Sequence, residues 1–279
     1  MSRKKLFISA ICILIIVYCG FILKNEYDVP YYPKEQPLSL SSIKTALTTN
    51  KKLTKSDYNL ISSQTGIFDK QTIDSLLSQI SGYTHLLTFQ KNYFRTPRIT
   101  SNSMNIVTFQ DFTVDAYGND TKYFDIAPYK NGYILVTKSV STLGWKHGHC
   151  GIIIDADKGI VLESLAPGSV SVEQNIEKWK YYPTFKVLKL KNTDDAELNE
   201  IASYAQSTLS GIKYNIFAKK NSTSQPKSLN CAQIIWEAFI HFNYDIDSNK
   251  GPIVTPEDIA KSDLFETVQI YGFKPGSPW

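Results

Sequence analysis

The stretch Ser228-Leu229-Asn230-Cys231-Ala232-Gln233-Ile234-Ile235-Trp236-Glu237 reads as a loop turning into a helix. Asn230 is a good N-cap, because its short side chain can accept from amides in the turn ahead. Ile234, Ile235, Ala238 and Phe239 then supply an apolar face at helical spacing. Cys231 therefore falls in the first helical turn, where the positive end of the backbone dipole favours thiolate over thiol. A nucleophilic cysteine has this setting, and so does a buried cysteine that only fills space. What separates the two readings is a histidine placed to serve the thiol.

Working back from this helix, residues 133–140, 148–155, 159–165 and 185–190 read as four consecutive strands, with Asp157-Lys158-Gly159 as a hairpin turn between the middle two. Helices follow at 195–209 and 231–242, and a last short one starts near Thr255-Pro256-Glu257-Asp258, with proline early in the helix. Strands followed by helices imply α+β rather than an alternating parallel sheet.

On the second strand, Trp145-Lys146-His147-Gly148-His149-Cys150-Gly151-Ile152, alternation puts His147, His149 and Gly151 on one face and Cys150 on the other. If His149 faces the site, a Cys150–Cys231 disulfide would compete with it. On the third strand Glu163 interrupts the apolar run Val161-Leu162-Glu163-Ser164. A carboxylate in a central strand is costly unless paired. Across the hairpin it would lie near His149, accept a ring N–H, fix the tautomer and support the imidazolium. Cys231, His149 and Glu163 thus read as nucleophile, base and orienting acceptor. Each also has a plain alternative: a core cysteine, a satisfied structural histidine, an edge glutamate.

The order of these motifs is Gly132-Tyr133-Ile134-Leu135-Val136-Thr137, Gly148-His149-Cys150-Gly151-Ile152-Ile153, Val161-Leu162-Glu163-Ser164, Tyr214-Asn215, and Asn230 to Trp236. That order resembles the circularly permuted branch of the NlpC-type papain-like hydrolases, with the YiiX-like proteins nearest. The resemblance runs from about residue 131 to 263. It implies a permuted papain-like fold with an antiparallel sheet and packed helices. It also implies Cys231 as nucleophile, His149 as base and Glu163 as third member. Tyr133 stands where such proteins usually carry an acidic residue, so no role passes to it. Relatives include peptidoglycan amide hydrolases and lipid acyl transferases, so the implied substrate is a peptide or lipid acyl group. The expected chemistry is cleavage of an amide, in a cell-wall peptide, through an acyl-enzyme, with a lipid ester or thioester as the alternative. No cofactor and no metal is called for.

The rest of the 279 residues sets the context. Arg3-Lys4-Lys5 precedes an uncharged apolar run over 6–23, long enough to span a bilayer, with the basic end inside and the remainder outside. The expected organisation is an anchor at 1–26, a proline-punctuated spacer at 27–37, a helical and mixed region at 38–130, and the catalytic domain at 131–279. The polar segment 219–228 forms a wall of the site or a flap. The formal charge of +4 is spread along the chain, and beyond Arg3-Lys4-Lys5 no basic run suggests nucleic acid. Two rivals stand beside the hydrolase. One is a zinc site on His147 and His149 with Glu163 or Cys231 added. The other is a non-enzymatic surface module with an inert cysteine. Oligomeric state is left open.

Overall fold

The computed structural model describes residues 3–27, 29–220 and 226–279. Five helices come first: α1 (Arg3–Tyr27), α2 (Ser41–Thr48), α3 (Lys55–Thr65), α4 (Lys70–Ser78) and α5 (Gly82–Tyr93). Strands β1 (Arg98–Ser103), β2 (Thr108–Val114), β3 (Ile134–Thr137), β4 (Val140–Thr142), β5 (His149–Asp155), β6 (Ile160–Ser164), β7 (Ser171–Asn175) and β8 (Phe185–Leu190) follow, with a 3-10 turn, Ile176–Tyr181, between β7 and β8. The chain closes through α6 (Asp195–Leu209), β9 (Lys213–Tyr214), β10 (Ser228–Leu229), α7 (Cys231–Ile240), α8 (Pro256–Ala260) and β11 (Phe265–Tyr271). Strands and helices are segregated along the chain, so the class is α+β.

The main sheet is antiparallel throughout, in the order β11-β8-β3-β5-β6-β7. The strands expected at 148–155, 159–165 and 185–190 are all in it. The segment read as one strand over 133–140 is instead divided. After β3 the chain is held by Thr137 Oγ1, which bonds Ser139, and by Thr184 Oγ1, which accepts from the Lys138 amide. It then re-enters a second sheet as β4, in the order β1-β2-β4. A central β5 with near-continuous burial is what a strand covered on both faces requires. One cover is α6 and α7, which pack on β5. On the 3-10 turn and the residue after it sits the β1–β2 hairpin, where Phe112 stacks on Tyr182 at 5.4 Å.

Helices α2 to α5 have their own apolar cluster around Ile43, Ile61, Ile73 and Leu86. Thr54 and Asp57 form a capping box at the start of α3, and Asp69 caps α4. The unit is stitched to the edge of the main sheet: Ile67 bridges to Gln269, and Lys189 pairs with Asp69 at 2.6 Å. Part of the segment expected as a free spacer is also pinned to the sheet. The Tyr31 amide bonds the Gly272 carbonyl, and the Tyr32 hydroxyl bonds the Pro183 carbonyl at 2.7 Å.

Helix α1 carries an exposed apolar surface that includes Leu6, Phe7, Leu14, Ile16 and Val17. The apolar run expected to span a bilayer reaches into 21–23, whose side chains lie outside the described residues. Among the described residues no helix is long and apolar enough to cross a membrane. Part of the segment expected as a flap, 221–225, also lies outside them.

Candidate functional site

Asn230 has extended backbone, and its side-chain oxygen accepts from the Ala232 and Gln233 amides at 2.9 and 2.8 Å. That cap fixes where α7 begins and leaves Cys231 as its first residue. The residue before the cap is fixed as well: the Leu229 carbonyl accepts from Ser164 Oγ on β6 and from the Asn215 amide. The start of the cysteine helix is therefore tied to the strand that carries Glu163.

The β5–β6 hairpin brings His149 and Glu163 together. His149 Nε2 lies 2.6 Å from Glu163 Oε2, with both residues buried. Two further groups complete the carboxylate. Lys178 Nζ stands 2.7 Å from the same oxygen, and Trp179 Nε1 donates to Oε1 at 3.0 Å. Both come from the 3-10 turn after β7. The Trp179 ring also stacks on the His149 ring, at 5.5 Å and 16° between planes, which holds the imidazole flat against a wall. Gly151, two residues along β5, leaves the space Glu163 needs: a Cβ there would come within 2.9 Å of the Glu163 Cγ and 2.6 Å of Val161.

Charge follows this geometry. Burial pushes the Glu163 carboxyl up, but Lys178 and the His149 ring outweigh it and hold the group below the usual carboxylate range. An ionised carboxylate only accepts, so His149 Nε2 must donate and Nδ1 is left for another partner. Cys231, the first residue of α7, is the group whose titration is tied to that of the ring. Burial pushes the imidazole down, yet the bonds to Cys231 and Glu163 raise it to about 9. The Cys231 thiol is lowered well below its ordinary value, chiefly by a hydrogen bond from Cys150 and then by His149, against the opposing effect of burial. These directions favour a thiolate beside an imidazolium, with the buried Glu163 carboxylate on the far side of the ring.

His149 and Cys150, as neighbours on β5, project to opposite sides, so strand alternation argues against a Cys150–Cys231 disulfide. Both cysteines are free thiols.

His147 is not on β5. Gly148, at φ +77°, turns the chain between the two histidines, and His147 Nε2 pairs with Thr142 Oγ1 at 2.9 Å. It lines a narrow slot with Trp145, Tyr214, Asn230 and Cys231. Of the two histidines considered as zinc ligands, His147 has its Nε2 on Thr142 and His149 has its Nε2 on Glu163. Among the described residues no cluster of three or more His, Cys, Asp or Glu side chains is set to hold a metal ion.

Sequence reasoning missed Lys178 and Trp179 as site residues. One signal was available: a buried indole N–H needs an acceptor, and Glu163 was a buried acceptor in need of donors.

No family model matches the sequence, and no curated protein does. A solved structure described as metalloprotein yiiX from Escherichia coli O157:H7 aligns over 50% of this chain and 97% of its own, at 12% identity and a TM-score of 0.41.

Proposed function

We propose that the chain is a cysteine hydrolase or acyl transferase of the permuted NlpC-type, YiiX-like kind, working through Cys231, His149 and Glu163. The observation that carries this reading is the commitment of His149 Nε2 to Glu163 at 2.6 Å, with Cys231 at the capped start of α7 as the thiol that raises the ring. A structural histidine needs one such partner. A general acid–base needs its far nitrogen anchored and its near one on the nucleophile.

In this reading the Cys231 thiolate attacks an acyl carbon. The Cys231 amide, which Asn230 does not take, is the helix-start donor available to the developing oxyanion. His149 gives its proton to the leaving group, and Glu163 keeps the ring cationic until that moment. The acyl-enzyme is then resolved by water or another acceptor. The expected donor is an amide in a cell-wall peptide. The slot in front of Cys231 is walled by Trp145, Tyr214 and Ile253. The basic cluster Arg3-Lys4-Lys5 before the apolar run 6–23 supports placement on the outer face of a membrane, held by α1.

The test is mass spectrometry of the full chain in detergent, quenched in acid after exposure to cell-wall peptides and, in parallel, to acyl esters. A covalent acyl adduct on Cys231 is expected with the peptides, absent in Cys231→Ser and accumulating in His149→Ala. An adduct from esters alone would move the substrate class to lipids. No adduct from either, with Cys231 intact and folded, would favour a binding module.

A further inference from the structure

Strands β8 and β11, the residues that follow α8 and those that follow β11 enclose a cavity of about 440 Å³. Four lysines line it, Lys186, Lys191, Lys261 and Lys274, against a single carboxylate, Asp263. Lys186 is buried, at 1% exposure, and the other three are exposed at the rim. The Lys186 ammonium gives hydrogens to the Ser277 and Pro278 carbonyls, yet it carries three. Among the described residues no carboxylate pairs with it, and a buried charge without a counter-charge is costly. Burial, with the Lys138 charge nearby, accordingly pulls the group down to about 7. At the rim, Lys261 is paired with Glu257 at 2.6 Å, and Lys191 Nζ donates to the Asp263 backbone carbonyl at 2.7 Å. Lys274 has no ion pair among the described residues.

We infer that this cavity binds a phosphate group, held by Lys186 from within and by Lys191 and Lys274 at the rim. A phosphate carries more than one negative charge and several acceptor oxygens, so it can answer separate ammonium groups at once. It supplies the counter-charge that the Ser277 and Pro278 carbonyls do not. The cavity is also large enough for more than the phosphate itself, at the size of a small-molecule pocket. A free phosphate ester and a lipid headgroup present the same group, and the test below separates them. Cys231, His149 and Glu163 do not line this cavity, so the inference stands or falls separately from the hydrolase reading.

The test is isothermal titration calorimetry of the full chain in detergent, at fixed ionic strength in chloride. The probes are inorganic phosphate, glycerol phosphate and a short-chain phosphatidic acid. Saturable binding is expected, weakened at least about tenfold in Lys186→Met, the loss of a hydrogen bond between charged groups. Lys274→Gln should weaken it as well, and Lys158→Gln, on the turn between β5 and β6, should leave it unchanged. Tighter binding of the lipid than of glycerol phosphate, lost in the same two variants, assigns the site to a headgroup; equal binding assigns it to a free ester. No saturable binding of any probe, or binding that Lys186→Met and Lys274→Gln leave unchanged, would overturn the site. Lys274 is exposed, so its variant keeps the test decisive even if Lys186→Met fails to fold.

Discussion

His149 and Lys186 are both buried, and they pair with adjacent residues of β3, Thr137 and Val136. Burial opposes the charge on each, yet only one is driven toward neutrality. His149 has the Glu163 carboxylate and the Cys231 thiolate beside it and is raised to about 9. Lys186 has no such partner. Its Nζ donates to the Ser277 and Pro278 carbonyls at 2.8 and 2.6 Å and lies 4.7 Å over the Phe273 ring. Burial, helped by the nearby Lys138 charge, pulls it down to about 7. Carbonyl dipoles and an aromatic face satisfy the ammonium hydrogens without offsetting the loss of water; a formal negative charge does. The Glu163 carboxylate beside His149 is what separates the two groups.

The largest way to break this contrast is Glu163→Ala. It strands the His149 ring, the Lys178 ammonium and the Trp179 N–H at once, so His149 should fall toward neutrality as Lys186 does. Loss of one partner from a buried pair costs about 3–5 kcal/mol, read as a lowered urea midpoint, with Cys231 alkylation at pH 7 falling along with it. Unchanged stability would mean that Glu163 is not the counter-charge. Gly151→Ala is milder. The added methyl meets Glu163 Cγ and Val161 without removing any charge, so about 1–3 kcal/mol of overpacking is expected, together with a lower His149 pKa by NMR titration. A stability loss with His149 unmoved would show that the glycine serves packing alone.

The smallest effect sharpens the other side. Because the folded pKa of Lys186 lies below its unfolded value of about 10.4, the unfolded chain holds a proton between about 7 and 10 that the folded chain lacks. Stability should therefore rise with pH across that window, by up to about 1.4 kcal/mol per unit. The Cys231–His149 pair adds no slope between about 6.5 and 8.5, since in that window folding moves a proton from thiol to ring without changing their number. Lys186→Met should flatten stability between pH 7 and 8.5, measured by urea unfolding at several pH values. A persisting slope would place the proton elsewhere.

Cys231, His149 and Glu163 were legible because each breaks its local pattern: a thiol just after an N-cap, an imidazole at a strand start, a carboxylate in an apolar strand. The hairpin at Asp157-Lys158-Gly159 was enough to bring the last two together. Lys178 was not legible as a site residue, because it reaches Glu163 only through the path of the 3-10 turn after β7. Pro30, Pro33 and Pro37 pointed to extended chain, but not to where Tyr31 and Tyr32 would dock. The break at Lys138-Ser139 depends on Thr184, 46 residues from Lys138 in sequence, and no local rule anticipates it.

The most direct test of the central claim is the alkylation rate of Cys231 against pH, in the full chain with Cys12→Ser and Cys19→Ser, beside His149→Ala. The account predicts fast labelling that persists well below the free-thiol value of about 8.5, slowed at least about tenfold near pH 6 in the variant. Two profiles that rise together with an ordinary thiol midpoint would contradict it, and Cys231 would then be a core residue at the start of a helix.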